Sequence, residues 1–237
     1  MKNLLILTLM LSVHLTSSFG QGIWLKGGLI TQFSRPNGLN YVVDRYNETR
    51  SFLTTEMKPF NNLNGYSYGF MVNVENLFFE ASYDHRSQNR FARGIDATNQ
   101  EVERQIRASI NSFGFGFGYG VIDGGFGFAI GGRANAGPLR VRTKIGTINE
   151  VRSLGWEEDD VFNQLHIDLD LNIKLILRYL VIEPYYSIQL VAQTNNMAEV
   201  NEQLNPNTFQ NDPETIPFQS GGFGLKFIVL LGGYEAF

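Results

Sequence analysis

The stretch HIDLDLNIKL, residues 166–175, alternates strictly: His166, Asp168, Asp170, Asn172 and Lys174 fall on one parity, and Ile167, Leu169, Leu171, Ile173 and Leu175 on the other. A period of two is the signature of a β-strand, which sends successive side chains to opposite faces. One face is therefore ionisable and the other aliphatic. Inside a bilayer every backbone N–H and C=O must pair internally, so strands cross only as a closed barrel whose side chains alternate between lipid and lumen. A soluble barrel shows the same alternation turned inside out, so the neighbouring sequence has to decide which stripe is enclosed.

Similar alternation recurs along the chain between Gly, Asn, Asp and Pro clusters. It predicts eight strands, near 22–33, 65–75, 77–86, 106–120, 125–136, 162–178, 180–192 and 219–231. Tight turns are expected around Glu75-Asn76, Ile122-Asp123-Gly124 and Arg178-Tyr179. Long connections are expected at 34–64, 87–105, 137–161 and 193–218. Long and short connections thus alternate, as in an up-and-down barrel with short turns at one end and larger loops at the other. Two exceptions stand out. Pro184 lies inside a strand, where its missing N–H calls for a bulge. The parity of Ile106–Ser112 conflicts with that of the Phe run after it, which implies either a bulge near Asn111 or a rise above the apolar zone.

The 237 residues include 25 Gly, 19 Phe, 10 Tyr and no Cys. Without cysteine there is no disulfide, thiolate metal site or lipidated cysteine. A formal charge of −4 gives no basic footprint for nucleic acid. Lys2 followed by an apolar run from Leu4 to Val13 and the small-x-small site Ser18-Phe19-Gly20 reads as a secretory signal over 1–20, leaving 21–237 as one barrel domain. The run is shorter than the ~20 residues a spanning helix needs.

The final strand, FGLKFIVLLGGYEAF, sets Phe223, Leu225, Phe227, Val229, Leu231 and the last residue, Phe237, on one parity. With the strand pattern and the loop asymmetry, it resembles the small eight-stranded bacterial outer-membrane barrels of the OmpA, OmpX, OmpW and PorT-like group. The resemblance implies an all-β, eight-stranded antiparallel up-and-down transmembrane barrel in the bacterial outer membrane. It also implies recognition of Phe237 by the barrel-assembly machinery, and contact with outer-membrane lipid and lipopolysaccharide.

Under that reading Lys26, Glu80, Asp84, Arg86, Arg133, His166, Asp168, Asp170, Lys174, Glu183 and Lys226 face inward. An eight-stranded barrel is only wide enough for side chains to fill it, so these residues are expected to form paired layers. The runs FGFGFGYG (113–120) and GFGFAIGG (125–132) give an inner wall almost without side chains, with room for long groups from the opposite wall. DHRSQN (84–89) places His85 and Ser87 on one strand face. They are the only catalytic candidates, on a loose resemblance to the His-x-Ser arrangement of lipid A deacylases, and lack an evident third member. WEEDD (156–160) reads as a solvated acidic turn, and YVVDRYNETR (41–50) as a short helix. No motif calls for a cofactor or metal. The leading expectation is a non-enzymatic barrel that displays four long loops to a protein partner, a surface or the envelope-assembly apparatus. A lipid A-modifying enzyme and a carrier of small hydrophobic molecules are the alternatives.

Overall fold

The computed structural model describes residues 22–123, 126–153, 155–156, 160–191 and 195–232. The expected signal segment, Phe237 and most of the acidic turn at 157–159 lie outside them. In chain order the elements are β1 (Gly22–Phe33), α1 (Asn37–Glu48), β2 (Leu53–Thr55), β3 (Asn62–Val74), β4 (Leu77–Ile95), β5 (Glu101–Asp123), β6 (Phe126–Thr147), α2 (Ile148–Ser153), β7 (Asp160–Leu177), β8 (Leu180–Gln189), α3 (Ala198–Leu204) and β9 (Gly222–Gly232). Eight of the strands pair antiparallel in the cycle β1-β3-β4-β5-β6-β7-β8-β9. Pairing of β9 with β1 and of β4 with β5 closes the ring. The short β2 stands outside the ring, on the far end of β4.

At one end the ring turns tightly. Glu75 and Arg178 take left-handed backbone conformations, with φ of 56° and 57°, as short hairpin turns require. At the other end the structure departs from the expected four long loops. The stretches expected to be loops at 87–105 and 137–161 are mostly strand: β4 and β5 run on to a small tip at Asp96–Gln100, and β6 extends to Thr147. In that tip Asp96 accepts from the Thr98 and Gln100 backbone amides. The alternation of these arms had been hidden because its sense is reversed. Ile106, Ala108, Ile110, Leu139 and Val141 are fully buried inside the ring, while Arg107, Arg140 and Arg142 take the outward parity.

The register from Ile110–Leu139 to Phe113–Ala136 does not shift, so no bulge lies near Asn111. Of the two alternatives, the strand keeps its parity and its surroundings change. Pro184 makes no bulge either. The β7–β8 register is the same on both sides of the interrupted pair, Asn172–Tyr185 and Leu175–Ile182. The missing N–H costs a ladder bond without slipping the strands.

The two remaining connections fold over the wide end as a cap. Helix α1 buries Leu39, Val42, Val43 and Tyr46 along one face, the i, i+3, i+4, i+7 pattern of an amphipathic helix. These side chains join Met197, Val200 and Leu204 around α3, together with Met57, Phe60, Ile216 and Phe218. They pack on the inward residues of the strand arms, so the upper part of the ring has a water-free apolar core. Each fully buried Val, Leu or Phe there contributes about 1.5–3 kcal/mol. Gly38 is required where α1 meets the chain, since a Cβ would lie 2.5 Å from the Pro217 carbonyl oxygen.

Polar clasps fix the cap. The Asn40 amide brackets the Phe60 backbone, donating at 2.9 Å and accepting at 2.7 Å, and Asn47 does the same at Met57. Asp212 joins both helices: it accepts from Tyr41 at 2.8 Å and Asn201 at 2.8 Å and pairs with Arg45 Nε at 2.8 Å. Desolvation works to raise the Asp212 carboxyl, but the Asn201 and Tyr41 hydrogen bonds and the Arg45 charge hold it below its ordinary value. A folded carboxyl that titrates below the unfolded one gives stability that is full above the ordinary carboxylate range. That stability fades as pH falls through the folded value. Asp212→Asn is therefore expected to raise hydrogen exchange of the α1 and α3 amides roughly tenfold at neutral pH and to leave strand amides unchanged. In the unmodified protein, acid should loosen the same helices.

Candidate functional site

Between the apolar cap core and a second apolar layer near the tight turns lies a layer of enclosed charge. The lower seal is Met71, Phe78, Ala129, Ile176, Val181, Ile228 and Leu230. All eleven inward residues read from the sequence lie inside the ring at 5% exposure or less. Five are cations (Lys26, Arg86, Arg133, Lys174, Lys226) and five are carboxylates (Glu80, Asp84, Asp168, Asp170, Glu183). The formal charges cancel, with His166 as a hydrogen-bonding member beside Asp168.

Arg133 is the centre of the layer. Its Nη2 is 2.6 Å from Asp170 and 3.6 Å from Asp84, and its Nη1 is 3.5 Å from Glu183 and 3.7 Å from Glu80. Lys26 pairs with Glu80 at 2.6 Å, Lys174 bridges Glu80 at 3.2 Å and Glu183 at 2.8 Å, and Lys226 pairs with Asp84 at 2.6 Å. A second knot forms around Asp168. Arg86 pairs with it at 3.0 Å, His166 Nε2 lies at 3.0 Å and Asn135 donates to it at 2.5 Å. Arg86 also donates to Gln32, which itself donates to the Ser220 carbonyl at 2.7 Å. The edge of the His166 ring meets Phe218 at 6.5 Å, marking the boundary with the cap core.

The glycine wall takes part differently from the sequence expectation. A Cβ on Gly114 would strike Asn135 and Arg133, one on Gly116 would meet Arg133 and Glu80, and one on Gly118 would strike Phe78. The space is filled from the flanking strands β6 and β4, and not from the opposite wall. Sequence reasoning missed Gln32, Ser112 and Asn135 as members of the layer. Parity was their only signal: Asn135 shares a face with Arg133, and Gln32 with Lys26.

The charges of the layer are paired at close range and lie between two apolar clusters. No group of three His, Cys, Asp or Glu side chains suited to a metal occurs among the described residues.

His85 and Ser87 lie elsewhere, on the outer face of β4. The imidazole Nδ1 is 2.6 Å from Asn111 Oδ1, which also accepts from Tyr83 at 3.0 Å, and the ring stacks on Tyr66 at 5.0 Å. Ser87 Oγ accepts from Arg107 at 3.3 Å. No hydrogen bond joins His85 to Ser87 among the described residues. Asn111 fills the place beside the ring where a triad has its acid, but an amide cannot neutralise an imidazolium as a carboxylate does.

Because one cation serves four carboxylates, Arg133→Leu is expected to destabilise the folded barrel by about 3–5 kcal/mol, as when one partner of a buried pair is removed. Phe115→Leu, on the outer face of the same wall, should cost about 1 kcal/mol or less by equilibrium urea unfolding in detergent.

No family model matches the chain, and no curated protein matches it. Among solved structures it is similar to Ail, the attachment invasion locus protein of Yersinia pestis, crystallised with the heparin analogue sucrose octasulfate. The identity is 6%, the coverage 89% of this chain and 99% of that one, and the TM-score 0.40. At that identity the likeness concerns the fold alone.

Proposed function

We propose that the chain is an integral outer-membrane barrel without enzymatic activity, closed to ions, which presents its helical cap and strand arms to a partner outside the cell. One observation carries this reading: in a belt around the ring below the strand arms the large exposed side chains are apolar, while the charges at that level are inside. Leu29 is 68% exposed, Phe115 and Phe117 71%, Phe126 66%, Leu165 58% and Leu231 63%. Such a belt has no place in water, where a contiguous apolar patch of more than a few hundred Å² marks an interaction surface. It matches a hydrocarbon layer, and Tyr66, Tyr68 and Tyr83 stack at its upper margin as an interfacial girdle does.

In this reading residues 1–20 are the export signal and Phe237 is the aromatic end read by the assembly machinery. The cap supports the display role. It is a folded surface joined to a rigid wall, and function in barrels normally resides on the connections. The enzyme alternative is disfavoured by the separate engagements of His85 and Ser87. The carrier alternative is disfavoured by the filled glycine wall.

The orientation is tested by cysteine labelling, since the chain has no cysteine of its own. Asn99→Cys, at the β4–β5 tip, should react with a membrane-impermeant maleimide in intact cells. Asn76→Cys, at a tight turn, should react only after the outer membrane is opened. The reverse pattern, or equal labelling of both, would defeat the proposal. In planar bilayers the purified protein is expected to give no steady single-channel conductance; regular unitary steps would show that the charged layer is not a plug.

A further inference from the structure

Along the outward parity of β6 the side chains shrink and then become cationic. Phe126, Phe128 and Ile130 are followed by Gly132, Ala134, Ala136 and Pro138, and then by Arg140 and Arg142. Gly132 and Ala134 leave a groove of about 630 Å³ in the outer wall, walled by Phe115 and Phe117 on one side and Leu169 and Leu171 on the other. That volume is within the range of ligand sites, which run to roughly 300–1,000 Å³. At its centre Gly132 is open: a Cβ there would meet only the Asp170 carbonyl oxygen, at 3.7 Å.

Above the groove stand two arginines, Arg107 and Arg140, that meet no carboxylate among the described residues. Among the described residues Arg107 donates to the Ser87 hydroxyl, lies 5.8 Å from the Trp156 ring and stands opposite a second cation, Arg142. Arg140 makes no hydrogen bond or ion pair among them, and its Nε is buried without a partner, as is that of Arg107. Arg140 pairs with Ser109 and Arg107 with Arg142 across β5 and β6, so Arg107 and Arg140 are diagonal neighbours about 7–8 Å apart at the backbone. Burying the stem of an arginine while leaving its donors unpaired is costly unless an anion arrives. Phosphate matches the guanidinium fork.

We infer that this wall holds one molecule of a phosphorylated lipid, with an acyl chain in the Gly132–Ala134 groove and its phosphate between Arg107 and Arg140. The site rests on the outward face meeting lipid, as proposed above. Charge and shape together name the occupant. The groove alone would take any hydrocarbon, and the arginines alone any anion. Only an anionic amphiphile uses both, with its polar end at the level where the girdle gives way to charge.

The test uses the full-length protein in detergent micelles, titrated separately with dimyristoyl phosphatidylglycerol, dimyristoyl phosphatidylcholine, diphosphoryl lipid A and inorganic phosphate, with adducts counted by native mass spectrometry. One retained molecule of the phosphatidylglycerol or lipid A is expected at concentrations where phosphatidylcholine and inorganic phosphate give none. Retention should weaken roughly tenfold in Arg107→Gln/Arg140→Gln and to a similar degree in Gly132→Leu, which fills the groove. Leu29→Phe, on the distant β1, should bind like wild type. Equal retention of phosphatidylcholine, binding of inorganic phosphate alone, or an unaffected double arginine variant would overturn the site. A Gly132→Leu protein that binds normally would overturn the groove as the acyl seat. Barrel folding of each variant is checked by the shift in electrophoretic mobility on heating. Fractionation keeps the two readings apart: a protein absent from membranes sinks the membrane reading, whereas one that inserts but shows no lipid preference sinks only the site.

Discussion

The architecture depends on a single constraint, that none of the eight ring strands may keep an unpaired edge within the apolar belt. β1 is bonded on both sides, to β3 and β9, and β4 likewise to β3 and β5. Once the ring closes, every residue is committed by parity either to an enclosed space too narrow for bulk water or to the outside. Charges placed inward then have to find one another. Five cations meet five carboxylates, and Arg133 is placed to touch four of the latter. Ionic pairing inside the ring is thus a consequence of backbone pairing around it.

Parity does not change along a strand, but its surroundings do. In β5 the odd residues Phe113, Phe115, Phe117 and Tyr119 are outside and exposed, with glycines inside. Several residues earlier, with the register intact, Ile106, Ala108 and Ile110 are inside and Arg107 is outside. The middle of the barrel is built for an apolar exterior and a charged interior, the upper part for the reverse. An apolar core in the upper half needs a lid, because an open ring would wet it. Helices α1 and α3 supply that lid, and Asp212, Asn40 and Asn47 hold it to the chain between β1 and β3 and to itself.

This division explains what was legible in the sequence. Residues 166–175 announced a strand with one charged and one aliphatic face through their period of two, and the loop asymmetry, the aromatic residues near strand ends and the final strand pointed to the charged face as the enclosed one. β1 coincides with the strand expected at 22–33, and the short helix expected at 41–50 is α1, which begins earlier, at Asn37. The arms of β4 and β6 and the first residues of β5, 101–105, fall in expected loops because the search for apolar-outward alternation fails where polar residues turn outward, whereas 106–112 falls in an expected strand with its parity in conflict. The cap was invisible as an assembly: Asp212 and Tyr41 are 171 residues apart, and no local pattern ties them. The pairing within the charged layer was equally hidden. Parity says that Arg133 and Glu80 are both inside, and only the stagger of the closed ring says that they meet. Pro184 was misjudged for a simpler reason, since losing a single ladder bond is tolerated when the strands on both sides hold their register.

The wall made by β5 and β6 carries two thinnings with opposite effects. Inward, glycines at 114, 116 and 118 let Arg133, Glu80 and Phe78 lie against bare backbone, so the charged layer closes on that side without a gap. Outward, Gly132 and Ala134 remove bulk from the opposite surface of the same wall, and nothing among the described residues refills it. The inner absence is compensated by neighbours on β4 and β6, the outer one only by the surrounding medium. A protein that needed no more than an apolar coat would be served by the Phe and Ile found at positions 126–130. Replacing them by small residues on the strand that carries Arg140 costs contact surface, and the Nε donors of Arg107 and Arg140 find no partner among the described residues. Both costs are relieved by one amphiphilic occupant, and by no apolar solvent alone.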